Sequence, residues 1–269
     1  MALEQVNDFR AEAQALDGFL AKLNDADWQR ETAFKSWTIN DVIQHLHYGD
    51  ILGHKSATDV ESYAVLRDEL RDARAAGQTI QAFTRDKLGH LTGGELLTAW
   101  RRGYGELCDA LAAMQPDARL KWSGPDMGVR MFATARQMEI WAHGQEIYDI
   151  MGEDRAHHDR IKNIAVIGVK TYGWTFVNRG LEPPGEAPYV RLTAPSGEVW
   201  DWNEPSDTDI IEGTAVAFCQ VVTQVRNIAD TQLTVKGEAA ARWMEIAQCF
   251  AGPPETPPAP GTRAKATAS

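Results

Sequence analysis

The sequence is short of paired cysteines, of long apolar runs and of clustered basic residues, and each shortage removes a class of protein. Its three cysteines, Cys108, Cys219 and Cys249, are odd in number and widely spaced. This argues against a disulfide framework and for a reducing cytoplasm. Each cysteine lies in a stretch of helical pattern, so a buried, inert thiol is the expected state of all three. No apolar run reaches the roughly 20 residues needed to span a bilayer, so no membrane partner is expected. The first twenty residues mix charges with apolar positions and lack the apolar core of a signal peptide. The formal net charge is −11, and the basic residues nowhere cluster densely enough to neutralise a run of phosphates. Nucleic acid is therefore not expected as a partner. A small-molecule substrate is expected instead, for a monomer or homodimer.

What is present is an ordinary globular composition, 43% hydrophobic over 269 residues. That suffices for one large domain or two moderate ones. Nine tryptophans are many, and most are expected to fill the core.

The order of patterns gives an α+β chain. Leu3, Val6, Leu16, Phe19, Leu20 and Leu23 recur at helical spacing. A second helix is predicted after Trp37, where Thr38 and Asp41 make a capping-box pattern ahead of Val42, Ile43 and Leu46. It is expected to weaken at Gly49 and Gly53. Residues 57–92 read as a solvated helix and connector, Leu96–Met114 as a third core helix, and 121–128 as a loop. A fourth helix is predicted from Val129 to Gly152, with the glycine at C′. Four amphipathic helices most simply form a bundle over residues 1–160. The pattern then shifts. Residues 160–178 read as helix, 189–194 and 198–203 as strands around the turn Pro195-Ser196-Gly197, 213–227 as helix, 233–237 as a short strand and 238–250 as a last helix. A smaller α/β domain is thus expected over 161–252. The Pro/Ala/Thr-rich stretch 253–269 is predicted to be a disordered tail.

Chemistry concentrates in two places. Glu139 and His143 are four residues apart on the predicted fourth helix. Four steps of about 100° bring their side chains within about 40° of one another, so a carboxylate and an imidazole share one face and can chelate a divalent cation. The second helix carries His45, His47 and His54, three of the seven histidines. His45 and His47 are about 200° apart around the axis, so both cannot face one ion. Periodicity does not choose between them, because both flank the Val42/Ile43/Leu46 stripe. Asp50 falls close to that stripe, where it either orients a ligand imidazole or ends exposed near the end of the helix.

The residues also carry a resemblance. The run Trp28-(x)3-Thr32-(x)4-Trp37-Thr38-Ile39-Asn40-Asp41-Val42-Ile43-Gln44-His45-Leu46 resembles the first signature of the DinB-like superfamily, nearest to the mycothiol-dependent maleylpyruvate isomerases. Arg136-(x)2-Glu139-(x)3-His143-Gly144 resembles the second signature. Trp200, Trp202, Gly213, Arg226 and the closing AARWMEIAQCFAGPP resemble the second domain, so the likeness covers nearly the whole chain apart from the tail.

The resemblance implies a DinB-like four-helix bundle followed by the smaller α/β domain, in a bacterial, cytoplasmic enzyme. It assigns the metal ligands to His45, Glu139 and His143. Two imidazoles and a carboxylate suit zinc, with nickel or iron able to take similar ligands, and three protein ligands leave positions open for catalysis. His47 and His54 then become surface residues or supports, and His157-His158 a solvated turn. Arg226 is implied to hold a substrate carboxylate. The resembled enzymes often carry two adjacent arginines there, whereas this chain has Arg226-Asn227.

The implied activity is that of a metal-dependent isomerase or thiol S-transferase. It would use a low-molecular-weight thiol on a small electrophilic or unsaturated acid. One alternative is a metal-dependent hydrolase, hydratase or lyase using water, with Glu146 or Asp149 as a base, although the helical angle of neither favours it. The other is a non-catalytic, metal-dependent binding protein.

Overall fold

The computed structural model describes residues 3–122, 124 and 126–266. The chain divides into two compact units, Met1–Ile150 and Met151–Ser269.

The first unit is a bundle of α1 (Glu4–Leu20), α2 (Ile39–Thr58), α5 (Gly93–Ala113) and α6 (Val129–Met151), with α3 (Val60–Ala75) and α4 (Ile80–Leu88) as an excursion between α2 and α5. Helix α5 packs on both α1 and α2. The ring closes through α6, where Tyr148 stacks on Phe19 of α1 at 4.1 Å and Phe132 meets α2 at Gly53. Phe9, Leu16, Ile43, Leu46, Trp100, Leu107, Ile140 and Trp141 fill the interior at 0–1% exposure. The stretch expected to be a solvated connector builds a core of its own. Tyr63, Leu70, Phe83 and Leu88 from α3 and α4 bury against Tyr48 and Leu52 of α2.

Helix α2 starts where the capping box places it. The Asp41 amide donates to Thr38 Oγ1 at 3.2 Å, and the Thr38 amide donates to Asp41 Oδ2 at 2.8 Å. The Asp41 carboxylate also receives Arg85 and Gln81 of α4, and these bonds outweigh the cost of burial and hold it below its ordinary range. The helix does not weaken at Gly49 and Gly53 but runs on to Thr58. A Cβ on Gly53 would lie 2.8 Å from the Phe132 ring, and one on Gly49 2.6 Å from the Arg136 guanidinium. The cost of two helical glycines, about 1 kcal/mol each, is set against this close approach of α6. Helix α6 ends ahead of Gly152, whose φ of 73° is the left-handed conformation expected of a C′ glycine.

The second unit carries α7 (Lys162–Lys170), α8 (Tyr172–Val177), β3 (Tyr189–Thr193), β4 (Val199–Trp202), β5 (Ile210–Thr214), α9 (Ala215–Val222), β6 (Thr234–Lys236) and α10 (Glu238–Ile246). Strands β1 (Arg119–Leu120) and β2 (Met127–Gly128) form a two-residue pair ahead of α6. The four-stranded sheet has the order β4-β3-β5-β6, with β3 and β5 parallel and the other neighbours antiparallel. The β3–β4 turn is the expected Pro-Ser-Gly, with Gly197 at φ 92°. Phe176, Phe218 and Trp243 are buried together with Tyr172 at the centre of this unit.

Residues 253–266, expected from composition to be disordered, instead run along the second unit. Gln224 donates to the Glu255 carbonyl, Asn227 to the Pro258 carbonyl, and Arg263 to the Gln224 carbonyl. Proline content removes donors but leaves every carbonyl as an acceptor, and those carbonyls are what the second unit's side chains engage. All three cysteines are buried, as expected. Among the described residues, no helix is long and apolar enough to cross a membrane.

Candidate metal centre

Helix α6 stacks Glu139 under His143, and α2 brings His45 to the same carboxylate oxygen. Glu139 Oε2 lies 3.3 Å from His45 Nε2 and 3.5 Å from His143 Nε2. One ligand atom from each of the three residues falls within 4.8 Å of the others. Two atoms bound at about 2.1 Å to one tetrahedral zinc stand about 3.4 Å apart, so the two contacts to Glu139 have the spacing of a coordination shell. Among the described residues this is the one group of three or more His, Cys, Asp or Glu whose ligand atoms all lie within 4.8 Å of one another.

The electrostatics suit a cation. Burial opposes ionisation of Glu139, but hydrogen bonds from His143 and His45 overcome it and hold the carboxyl well below its usual range. Burial lowers His45, and the charge of Arg136 adds to the effect against the pull of Glu139. A neutral imidazole beside an ionised carboxylate is the protonation state that metal ligation requires. The three side chains keep 14–27% exposure, so the cluster opens at the bundle surface and is not sealed within it.

Aromatic rings wall one side. Trp37 lies parallel to His143 at 5.8 Å and edge-on to His45 at 5.3 Å, and Phe34 meets His143 edge-on at 5.0 Å. The loop that presents them makes two consecutive left-handed residues, Lys35 at φ 52° and Ser36 at φ 54°. Each costs about 1–2 kcal/mol in a residue other than glycine. The Thr32 amide donates to the Trp37 carbonyl at 2.7 Å and the Trp37 amide to the Phe34 carbonyl at 3.0 Å, closing the turn. Composition assigns tryptophans to the core, and Trp37 is indeed buried. Its proximity to the histidines was signalled only by its place in the first motif.

The other candidates fall elsewhere. His47, expected at the surface or as a support, is buried at 6% exposure on the opposite side of α2. Its Nδ1 makes no hydrogen bond, and burial with the charge of Arg102 pushes it down to about 4. It lines a cavity of about 300 Å³ with His54, Lys55, Arg102, Gly103 and Glu106. Asp50 is fully buried, and it receives Arg136 Nε at 3.0 Å and Trp100 Nε1 at 3.0 Å rather than a ligand imidazole. Glu146 and Asp149 are buried within the bundle, and Gln145 donates to Asp149 at 3.0 Å. Arg226 belongs to the second unit, just past α9, where its Nη1 donates to the Val225 carbonyl. His158 is exposed and His157 half-buried between α6 and α7.

Bundle, mixed second unit and His/Glu/His cluster together define an α+β protein with a candidate metal centre between two bundle helices. The chain belongs to the mycothiol maleylpyruvate isomerase N-terminal domain family, whose description it matches over residues 9–148. The resemblance read from the two motifs is thereby borne out. An uncharacterised protein of Mycobacterium tuberculosis, represented in two strains, is 38% identical over 249 residues, spanning 93% of this chain and 96% of the relative. Crystal structures of mycothiol-dependent maleylpyruvate isomerase share the fold. A mutant form superposes with a TM-score of 0.53 and a second structure with 0.51, each at 13% identity over 81% of this chain and 87% of that one.

Proposed function

We propose that this protein is a metal-dependent enzyme that uses a low-molecular-weight thiol to isomerise, or transfer the thiol to, a small electrophilic or unsaturated organic acid. The observation that supports it most is the placing of one Glu139 oxygen between two imidazole nitrogens from different helices, at a solvent-reachable rim. His45, Glu139 and His143 would hold the ion, most readily zinc. A divalent cation supplies Lewis acidity there, favouring thiolate over thiol and leaving positions open to a ligand.

The chain's own groups do the rest. Glu139 remains ionised and His45 neutral, so both are ready to ligate without first losing a proton. Trp37 and Phe34 exclude water from one flank. Arg226 is proposed to hold the acid's carboxylate. Thiolate addition to an activated double bond gives a single bond that rotates, and elimination then returns the thiolate with the trans isomer. In transfer, the adduct is released after taking up one proton.

Elemental analysis of the purified protein tests the centre: one metal per chain is expected, and its loss in His45→Ala and Glu139→Gln. Metal retained in both variants would overturn the assignment. Calorimetric titration with mycothiol, glutathione and coenzyme A tests the thiol. Metal-dependent binding of one of them is expected, and silence with all three would exclude thiol chemistry in favour of water.

A further inference from the structure

Arg136 and Asp50 form a buried ion pair between the two helices that carry the cluster. Arg136 is 4% exposed and Asp50 is fully buried. Taking two such charges out of water costs several kcal/mol per ion unless their geometry compensates. Here it does so only in part, since burial still raises the Asp50 carboxyl above its ordinary value against the bonds from Arg136 and Trp100. Arg136 Nε donates to Asp50 Oδ1 at 3.0 Å, Arg136 Nη2 donates to the Leu46 carbonyl at 3.0 Å, and Trp100 of α5 donates to Asp50 Oδ2 at 3.0 Å. The guanidinium lies over Gly49, where any Cβ would come within 2.8 Å of three of its atoms. Along α6, Arg136 stands one turn before Glu139. Along α2, its acceptor Leu46 directly follows His45.

We propose that Arg136, fixed by Asp50, is a positioning residue for the candidate metal centre. By clamping α2 to α6 at Leu46, it sets the distance at which His45 meets Glu139. The inference rests on the metal-dependent reading and concerns alignment: Arg136 bonds to Asp50 and to the Leu46 carbonyl, and reaches His45 only through its charge. The arrangement explains why α2 accepts glycine at position 49, inside the helix. It also gives Asp50 a function that its place in the sequence left divided between orienting a ligand and an exposed helix end. A planar, forked side chain is needed because one group must reach a carboxylate and a main-chain carbonyl at once, which an ammonium does with less fixed geometry.

A merely structural pair and a positioning pair respond differently to substitution. A buried ion pair replaced by apolar side chains of similar volume often costs no stability. The test compares the wild type, Arg136→Lys, and the double variant Asp50→Leu/Arg136→Met, measuring the unfolding midpoint, zinc affinity by competition with a chelator, and the visible spectrum of the cobalt(II)-loaded protein. Expected are a folded double variant with a midpoint near the wild type, zinc binding weakened about 10- to 100-fold, and altered cobalt bands. Arg136→Lys, which keeps the charge, is expected to fold and to weaken zinc binding about tenfold. If the double variant does not fold, Arg136→Lys alone decides. Wild-type affinity and an unchanged cobalt spectrum in a folded variant would overturn the inference while leaving the metal centre intact. A wild type that binds no metal would overturn both.

Discussion

The two sides of α2 make an instructive pair. On one, His45 faces Glu139 and is nearly a quarter exposed. On the other, two residues on, His47 is more deeply buried and its Nδ1 makes no hydrogen bond. The same residue type on the same helix thus meets opposite environments. Burial by itself does not mark the candidate ligand. His45 is distinguished by a carboxylate partner and an opening to solvent, whereas His47 has a buried Nδ1 without a hydrogen bond and is held neutral by its surroundings.

Substitutions can break this contrast. The largest effect is expected from Trp37→Ala, which removes the ring packed on both His45 and His143. We expect a loss of about 3–5 kcal/mol, read from chemical denaturation, together with weakened metal binding. A stability change without any change in metal affinity would separate the wall from the centre. His47 is expected to make the protein acid-sensitive. Its folded pKa of about 4 lies below the unfolded value near 6.5. The folded state therefore binds fewer protons, and stability present above about pH 6.5 falls as pH drops toward 4, by up to about 3 kcal/mol. Denaturation curves for His47→Gln should be flatter across that window, and an unchanged pH dependence would refute the assignment. Gly103→Ala tests the same side sterically. A Cβ there would sit 2.9 Å from the His47 ring, and an expected cost of about 1–3 kcal/mol should leave metal content untouched. The smallest effect belongs to Arg102→Gln, whose removal takes away one charge opposing His47 protonation. It should move protonation of the His47 ring slightly to higher pH, measurable by NMR titration of that ring.

Much of this architecture was legible beforehand because the signals were local. The Thr38/Asp41 cap, the Glu139/His143 stack, the end of α6 at Gly152 and the turn at Pro195-Ser196-Gly197 each depend on a few adjacent residues. What escaped depends on distant ones. His45 and His47 are equivalent to any periodicity argument, and Glu139, 94 residues on, gives only one of them a partner. Gly49 and Gly53 read as weak points of a helix because the side chains that require them, Arg136 and Phe132, lie on another helix. The short strand β5 goes unpredicted, only Gly213 and Thr214 falling within the helix expected over 213–227, since its pairing partners β3 and β6 are set by the tertiary fold. The tail's order likewise comes from side chains of residues near 224–227, invisible in the composition of the tail itself.

The unequal spacing of the three cluster residues has a consequence for assembly. Glu139 and His143 come together as soon as α6 is helical, whereas His45 arrives only when α2 docks across a 94-residue separation. An expanded chain with intact helices would keep a two-residue remnant and lack the third member. For a metal-binding protein, tight capture of the ion would therefore report the docking of α2 against α6 rather than helix content. Raising the ion's concentration would deepen the native basin by mass action.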